Sequence, residues 1–568
     1  MLLCPHLWML RIGGDAGDMA ISQIFPGRTQ VRPQWTAGAM VGLVMALALI
    51  IRLFGIERES LWIDEAYSLW FVRQSYGDLV GDIALTEFNP PLYYILLHIW
   101  VDLFGESVFS IRLLSSLINV ATIPFVYLTA RWSVPDRHGH LTGMVAGTLF
   151  ALCFAEIQYA QEARAYALLV LSFSVVTAAS ARIVRDIVSL TGPGKMPPAS
   201  WPWLMLGLGA ALTFWSHYTS LLLLIFTGLL HVAIWLLLAR SRLDVLGLYL
   251  RSAAAFLVLA APALWIFFAY AIPGSNEFWI HPPSLADAID ATSIIYGAAY
   301  SLDSWRLDLA LRLLVFAPWP VLGLIYAWRS RDLQVRCNAG LMLALSIAAF
   351  ALFLLVTYVA RPVFLQRIVL PTQVGWIVLC AMAPLVFRTQ RLRNGVAAGM
   401  VLVFSSGAVA YHVARPEITQ KEPWREVARM IAQYSPDNSH VFTSASGEVI
   451  IGYYLERFGR EDIRITAVSG SLRIPEVRRP FQPGADYYSP RLDPADAERM
   501  DAMMARADVS WLAVRKPEGN ALDPFRAVFA KHGTDAPVCN HFMPGPVGVY
   551  RVPQRRLEPC GPAPRTRP

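Results

Sequence analysis

The chain has 568 residues, of which 55% are hydrophobic and 16% charged, with a mean hydropathy of +0.45 and a net charge of +7. A soluble domain carries about 25% charged residues, so this composition excludes an ordinary cytosolic enzyme. The same apolarity excludes disorder, and the lack of a glycine period excludes a collagen-like rod. The charges are also uneven: 41 of the 89 Asp, Glu, Lys and Arg residues lie from Val413 onward. Basic residues are not gathered on one element, which argues against nucleic acid as a partner.

Residues 1–35 contain Arg11, Arg28 and Arg32 and no run long enough to span a bilayer. They read as a cytoplasmic segment. A cleaved signal peptide is not expected, because no A-x-A-like site follows the first long apolar run. From there, eleven apolar runs near the spanning length recur, at about 36–56, 113–130, 141–157, 166–181, 201–216, 219–239, 253–272, 307–328, 338–359, 368–387 and 394–412. Short cytoplasmic loops collect Lys and Arg. Arg131 with Arg137, Arg182 with Arg185 and Lys195, Arg240 with Arg242 and Arg251, Arg329 with Arg331 and Arg336, and Arg388 with Arg391 and Arg393 mark five such loops. The stretch Pro91–Phe104 is apolar but below spanning length, and counting it as a span would reverse every later loop. It is expected to be a juxtamembrane or re-entrant helix in the outer leaflet.

The expected organisation is therefore an N-terminal cytoplasmic segment (1–35), a membrane domain (36–412) and an outside-facing α/β domain (413–568). In the last of these, Pro423–Tyr434 suits an amphipathic helix. His440–Ser444, Ile463–Val468, Val509–Val514 and Val547–Val552 read as strands, and 470–495, rich in Pro, Gly and Arg, as a loop. No C-x-x-C spacing for zinc occurs among the six cysteines. Cys539 and Cys560 are either a disulfide of an oxidising compartment or two free thiols.

The polar residues facing outside carry the chemistry. Trp62-Ile63-Asp64-Glu65-Ala66-Tyr67 sets two adjacent carboxylates among aromatics close to a bilayer, where acids are costly unless solvated, paired or used. A solvated acid pair is the plainer reading; partial burial would instead raise a carboxyl toward the range of a general base. Glu87-Phe88-Asn89-Pro90-Pro91-Leu92-Tyr93-Tyr94 adds a third carboxylate to the same loop. In Gln158–Tyr166, a helical course would make Gln161 and Arg164 neighbours, as it would Glu162 and Tyr166. Arg164 is a snorkelling anchor or, through its fork of donors, a phosphate ligand. His217-Tyr218 ends another span, where a lone histidine is more often structural than a base. Arg361 and Arg367 oppose the positive-inside trend, which favours a bound anion.

Leu61–Tyr67, then Asn89-Pro90-Pro91-Leu92-Tyr93-Tyr94, Gln161-Glu162-Ala163-Arg164-Ala165-Tyr166, His217-Tyr218, and Arg361-Pro362 with Arg367 resemble, in that order, the membrane glycosyltransferases of the protein O-mannosyltransferase superfamily. The bacterial members near the aminoarabinose transferase and the rhizobial lipopolysaccharide glycosyltransferases look most similar. Asn89, where many members have His, and Gln366-Arg367-Ile368, where an Arg-Tyr pair is frequent, depart from the pattern. The resemblance implies an α-helical polytopic protein of GT-C fold in a bacterial inner membrane. It further implies an inverting displacement on the outer face, with a polyprenyl-phosphate sugar as donor and a glycolipid, polysaccharide or protein hydroxyl as acceptor. Asp64 is then the base, with Glu65 orienting it or sharing the task. Donor or phosphate contact falls to Gln161, Arg164, His217, Tyr218, Arg361 and Arg367, and acceptor or lipid contact to Glu87, Tyr93 and Tyr94. No cofactor is demanded, although a divalent metal bridging the carboxylates and the phosphate fits the same chemistry. The alternative is a transporter or flippase of a lipid-linked sugar or other anion, which should place ionisable residues in mid-span. No internal repeat supports inverted halves.

Overall fold

The computed structural model describes residues 33–86, 89–190, 198–271, 282–300, 305–360, 362–419, 421–443, 445–467, 494–515, 523–533 and 547–553. The chain begins with α1 (Pro33–Leu53), α2 (Ile63–Val72), α3 (Tyr76–Thr86) and α4 (Leu92–Phe104). Next come α5 (Val108–Val120) with α6 (Ile123–Trp132), α7 (Asp136–Ala151) and α8 (Phe154–Ala160). They are followed by α9 (Tyr166–Ser189), α10 (Trp201–Ser216), α11 (Ser220–Leu238) and α12 (Leu243–Ile266). Among the described residues, eight helices are long and apolar enough to cross a bilayer: Val108–Trp132, Tyr166–Ser189, Ser220–Leu238, Leu243–Ala269, Arg306–Arg329, Leu333–Val359, Gln366–Val386 and Gln390–Val413. The pair α7 and α8, bent by 55°, makes a ninth if taken as one span. The protein is a multi-pass membrane protein. Of the eleven expected spans, the first appears as the shorter apolar helix Ala37–Leu53 and the fifth as the 16-residue α10. α4 is a 13-residue apolar helix, too short to span.

Lipid explains what faces outward. Leu229 and Leu237 on α11 and Val258 on α12 are more than half exposed, a cost in water but not in hydrocarbon. α9 runs through the middle, with 83% of its apolar window buried. Its Ser174 and Ser180 hydroxyls donate to the Val170 and Val176 carbonyls four residues back, so small polar residues are satisfied without water. Glycine sets two close helix contacts. A methyl at Gly207 of α10 would meet the Ser252 carbonyl of α12, and one at Gly323 the Leu379 carbonyl.

Beyond the last spanning helix, strands β1 (Ser439–Thr443), β2 (Arg464–Ala467), β3 (Val509–Arg515) and β4 (Val547–Val552) form one sheet of order β2-β1-β3-β4. β1 is parallel to β2 and β3, and β4 is antiparallel to β3. All four expected strands are present, as is a helix at Trp424–Tyr434. The helices Ala445–Arg457, Pro494–Met504 and Asp523–Lys531 were not foreseen. The expected loop at 470–495 falls almost wholly outside the described residues, and Cys539 and Cys560 lie outside them too.

This unit is packed onto α2. Trp424, Ile450 and Tyr453 share a core with Leu61, Ala66 and Leu69. Polar contacts join the same surfaces: Leu61 N donates to the Tyr454 hydroxyl (2.8 Å), and Arg425 donates to the Glu57 and Arg58 carbonyls (2.8 and 2.9 Å). Glu106 pairs with Arg73 at 2.6 Å and with Arg457 at 3.8 Å.

Candidate active site

Two residues beyond α1, Gly55 has a φ of 66°, in the left-handed region that favours glycine. The chain then turns through 56–62 into α2, with Asp64 and Glu65 in the first turn, where the positive end of the helix dipole favours carboxylates. Adjacent helical residues point about 100° apart, so the two acids enter different surroundings.

Glu65 points into the protein and is fully buried. Arg112, at the start of α5, donates to both of its oxygens (2.8 and 2.6 Å), and the Ala163 amide donates to Oε1 (3.0 Å). The remaining Arg112 donors reach the carbonyls of Ile56, Glu59 and Ser60 at 2.8 to 3.0 Å. Burial alone would push the Glu65 carboxyl up; the Arg112 guanidinium overrides it, with Lys421 assisting, and holds the group at about 2. Glu65 is thus an ionised anchor joining α2, the 56–60 loop, α5 and the turn after α8. Of its two expected roles, this geometry suits orienting Asp64, and its occupied oxygens do not suit proton transfer.

Asp64 is partly exposed, with Oδ2 3.1 Å from an Arg367 nitrogen. Arg367 begins the helix-rich segment Gln366–Val386 and lies over the rings of Trp62 and Tyr166, each centroid 5.6 Å away. Arg164 donates to the Asp64 carbonyl (3.2 Å) and to the Tyr94 hydroxyl (2.8 Å). Tyr166 packs beside His217 at 6.4 Å between centroids. Burial, with the Arg164 and Arg367 charges, pushes His217 down to about 3, so it is neutral at physiological pH, and Thr219 Oγ1 lies 2.8 Å from its Nδ1. Asp64, Arg164, Arg367, His217 and Tyr94 therefore form one neighbourhood.

Other expected site residues are placed differently. Residues 161–165 are not helical; they form a turn between α8 and α9, closed by Arg164 N donating to Glu162 O. Gln161 is fully buried, its amide donating to the Arg52 and Phe54 carbonyls and its Oε1 accepting from Tyr411. That is a clamp between helices rather than an open donor contact. Tyr93 is fully buried against Ser115 Oγ (2.8 Å), and Tyr218 packs with Phe214 and Phe267. Glu87 and Arg361 lie outside the described residues.

Three residues were missed. Arg112 lies in the second turn of α5 and Glu59 between α1 and α2; at the outer edge of an apolar run such charges read as ordinary. Lys421 lies between the last span and the sheet unit, 3.2 Å from Glu162 and 3.9 Å from Glu59, over the Trp62 ring. Its signal was compositional: lysine occurs four times among the 48 basic residues. Among the described residues, no three His, Cys, Asp or Glu side chains converge as metal ligands. Asp64 instead has a guanidinium partner.

Spanning helices carrying charged and aromatic groups at one common end, with a small sheet unit seated there, form the GT-C fold. In structure the chain is similar to ArnT, the aminoarabinose transferase, from Cupriavidus metallidurans. With undecaprenyl phosphate bound, that protein gives a TM-score of 0.53, and in its apo state 0.55; identity is 15%, covering 91% of this chain and 98% of the other in both cases. The oligosaccharyltransferase of Archaeoglobus fulgidus gives 0.47 at 11% identity, over 88% of this chain and 72% of its own. No protein-family model matches the chain, and no curated protein matches it in sequence. The likeness is one of fold.

Proposed function

We propose that the protein is a glycosyltransferase moving a sugar from a polyprenyl-phosphate donor to an acceptor hydroxyl, with its site on the outer face of a bacterial inner membrane. The observation carrying this reading is the Asp64 carboxylate paired with Arg367 beside Arg164. The fold shared with a protein that binds undecaprenyl phosphate supports it. So does topology: α1 ends near the site, and the α8–α9 turn, the α10–α11 turn, the start of Gln366–Val386 and the end of Gln390–Thr419 all fall on that side if spans alternate. The arginine-rich loops then fall on the opposite, cytoplasmic side.

In the proposed reaction, the acceptor oxygen attacks the anomeric carbon and passes its proton to Asp64. The bond from that carbon to the phosphate oxygen breaks, and its electron pair leaves on the lipid phosphate. A polyprenyl phosphate is a stable anion, so cationic stabilisation by Arg164 and Arg367 does more than a general acid. A single displacement inverts the anomeric configuration. Glu65 holds α2 and so aims Asp64. Neutral His217 supports Tyr166, on which Arg367 rests. The sheet unit covers this end of the membrane part and suits acceptor recognition. A transporter would need its charges within the spans, whereas those of this site stand at one set of helix ends.

Comparing the glycans and lipids of cells with and without the protein tests this reading. A sugar that disappears without the protein, and is not restored by Asp64→Asn, would name donor and acceptor. Unchanged profiles, together with lipid-linked sugar building up on one leaflet, would favour transport.

A further inference from the structure

Lys421 occupies an odd position for a basic residue. Its side chain is 5% exposed although it lies in the connection to the sheet unit. It reaches the Trp62 ring at 5.6 Å, the same ring that Arg367 reaches at 5.6 Å. Both cations therefore lie near one indole, and Asp64, which pairs with Arg367, is two residues along the chain.

The ion pair between Lys421 and Glu162 is also incompletely satisfied. Two carboxylates, of Glu162 and Glu59, are as buried as the ammonium they share. The Glu59 contact, at 3.9 Å, exceeds hydrogen-bond length, and Glu162 Oε2 has no hydrogen-bond partner among the described residues. Buried ions recover their lost hydration only when geometry is good and the remaining lone pairs are satisfied. The Glu65–Arg112 pair meets that standard and the Lys421–Glu162 pair does not. Lysine further differs from arginine in being a compact charge on a flexible four-carbon stem with three donors. It can swing between anions where a fork cannot.

We propose that Lys421 is a third cation of the phosphate site, which leaves Glu162 for a phosphate oxygen of the polyprenyl donor when the donor binds. The connection to the sheet unit thereby supplies a donor-binding group, so the membrane part without it is an incomplete site. This rests on the donor class proposed above. The upward push that burial gives the Glu162 carboxyl is consistent with it, because Glu162 can take up a proton once the ammonium has moved.

The test measures binding of undecaprenyl phosphate to the purified full chain, with undecaprenol and inorganic phosphate as controls. Wild type, Lys421→Gln, Lys421→Arg and Glu162→Gln are compared, each with its ligand-free melting temperature. Lys421→Gln should bind undecaprenyl phosphate about tenfold more weakly, the size of one charge-assisted hydrogen bond, and Lys421→Arg should recover only a small part of that loss, because its fork stays on Glu162. Glu162→Gln should bind more tightly than wild type because the ammonium no longer has to leave an ionised partner, although its ligand-free stability falls. If Lys421→Gln binds as wild type does while melting earlier, the cluster is only a strap and the proposal fails. It fails too if Glu162→Gln gains no affinity, an arm that holds even where Lys421→Gln does not fold. Wild type failing to distinguish the phosphate from undecaprenol would instead sink the donor class itself, and this inference with it.

Discussion

Glu65→Gln probes the frame that aims Asp64. The change keeps the shape of the side chain but removes the charge facing Arg112, leaving a guanidinium fully buried against carbonyls alone. The fall of the Glu65 carboxyl from 4.5 to about 2 corresponds to about 3 kcal/mol of preference for the ionised form in the folded state. Removing one partner of a buried ion pair costs about 3–5 kcal/mol, so the two routes agree at roughly 3 kcal/mol. Because the folded value lies below the unfolded one, this contribution is complete above pH 4.5 and is lost as pH falls toward 2. Thermal unfolding in detergent, followed by the circular dichroism of the helices, suits the measurement because it reads equally well at neutral and acid pH. Glu65→Gln should unfold at lower temperature and lose part of the acid sensitivity between pH 4.5 and 2. The double variant Glu65→Gln/Arg112→Met should recover some stability, since no unpaired charge remains. A Glu65→Gln protein as stable as wild type, with the same acid limb, would refute the account of Glu65 as an anchor.

Asp64→Asn should cut sugar transfer by a hundredfold or more, about the lower range for a general base, while leaving undecaprenyl phosphate binding measurable; near-normal turnover would remove Asp64 from the mechanism. Arg367→Lys keeps the charge but loses the planar contact with Trp62 and Tyr166, so donor binding should weaken by about tenfold, as shown by KM for the lipid donor. Because His217 is held near 3, no activity limb between pH 5 and 8 should belong to it; a limb abolished by His217→Asn would contradict this. Gly323→Leu should lower the melting temperature by driving its helix off Leu379, and unchanged melting would mean that these helices do not meet so closely.

The membrane part was legible because bilayer thickness forces a long apolar run at each crossing. Three runs do not match one continuous helix of spanning length, the first being the shorter helix Ala37–Leu53. α10 is a 16-residue helix placed beside α9 and α12, and the α7–α8 span breaks at Leu152 and Cys153, where a one-dimensional pattern carries no angle. The four strands showed through β-branched runs, but the three extra helices of the sheet unit did not. Ala445–Arg457, for example, opens with Ala, Ser and Gly and buries its face against α2, so packing rather than local pattern decides its course.

The candidate site was legible as a set of residue types and illegible as a division of labour. Asp64 and Glu65 are chemically almost equivalent and adjacent, and nothing local says which one faces inward. The answer comes from Arg112, 47 positions from Glu65, which was passed over because an arginine at the head of a spanning helix resembles an interfacial anchor. Gln161 and Arg164 pose the same problem: a helix would have put them side by side, but the turn at 161–165 sends the amide toward α1 and the guanidinium toward Asp64 and Tyr94. In each pair one residue is committed to holding backbone, while the other reaches the cluster around Asp64. For Asp64 to act as the proposed base it must stay incompletely paired, and the fully paired Glu65 next to it holds the first turn of α2 in place.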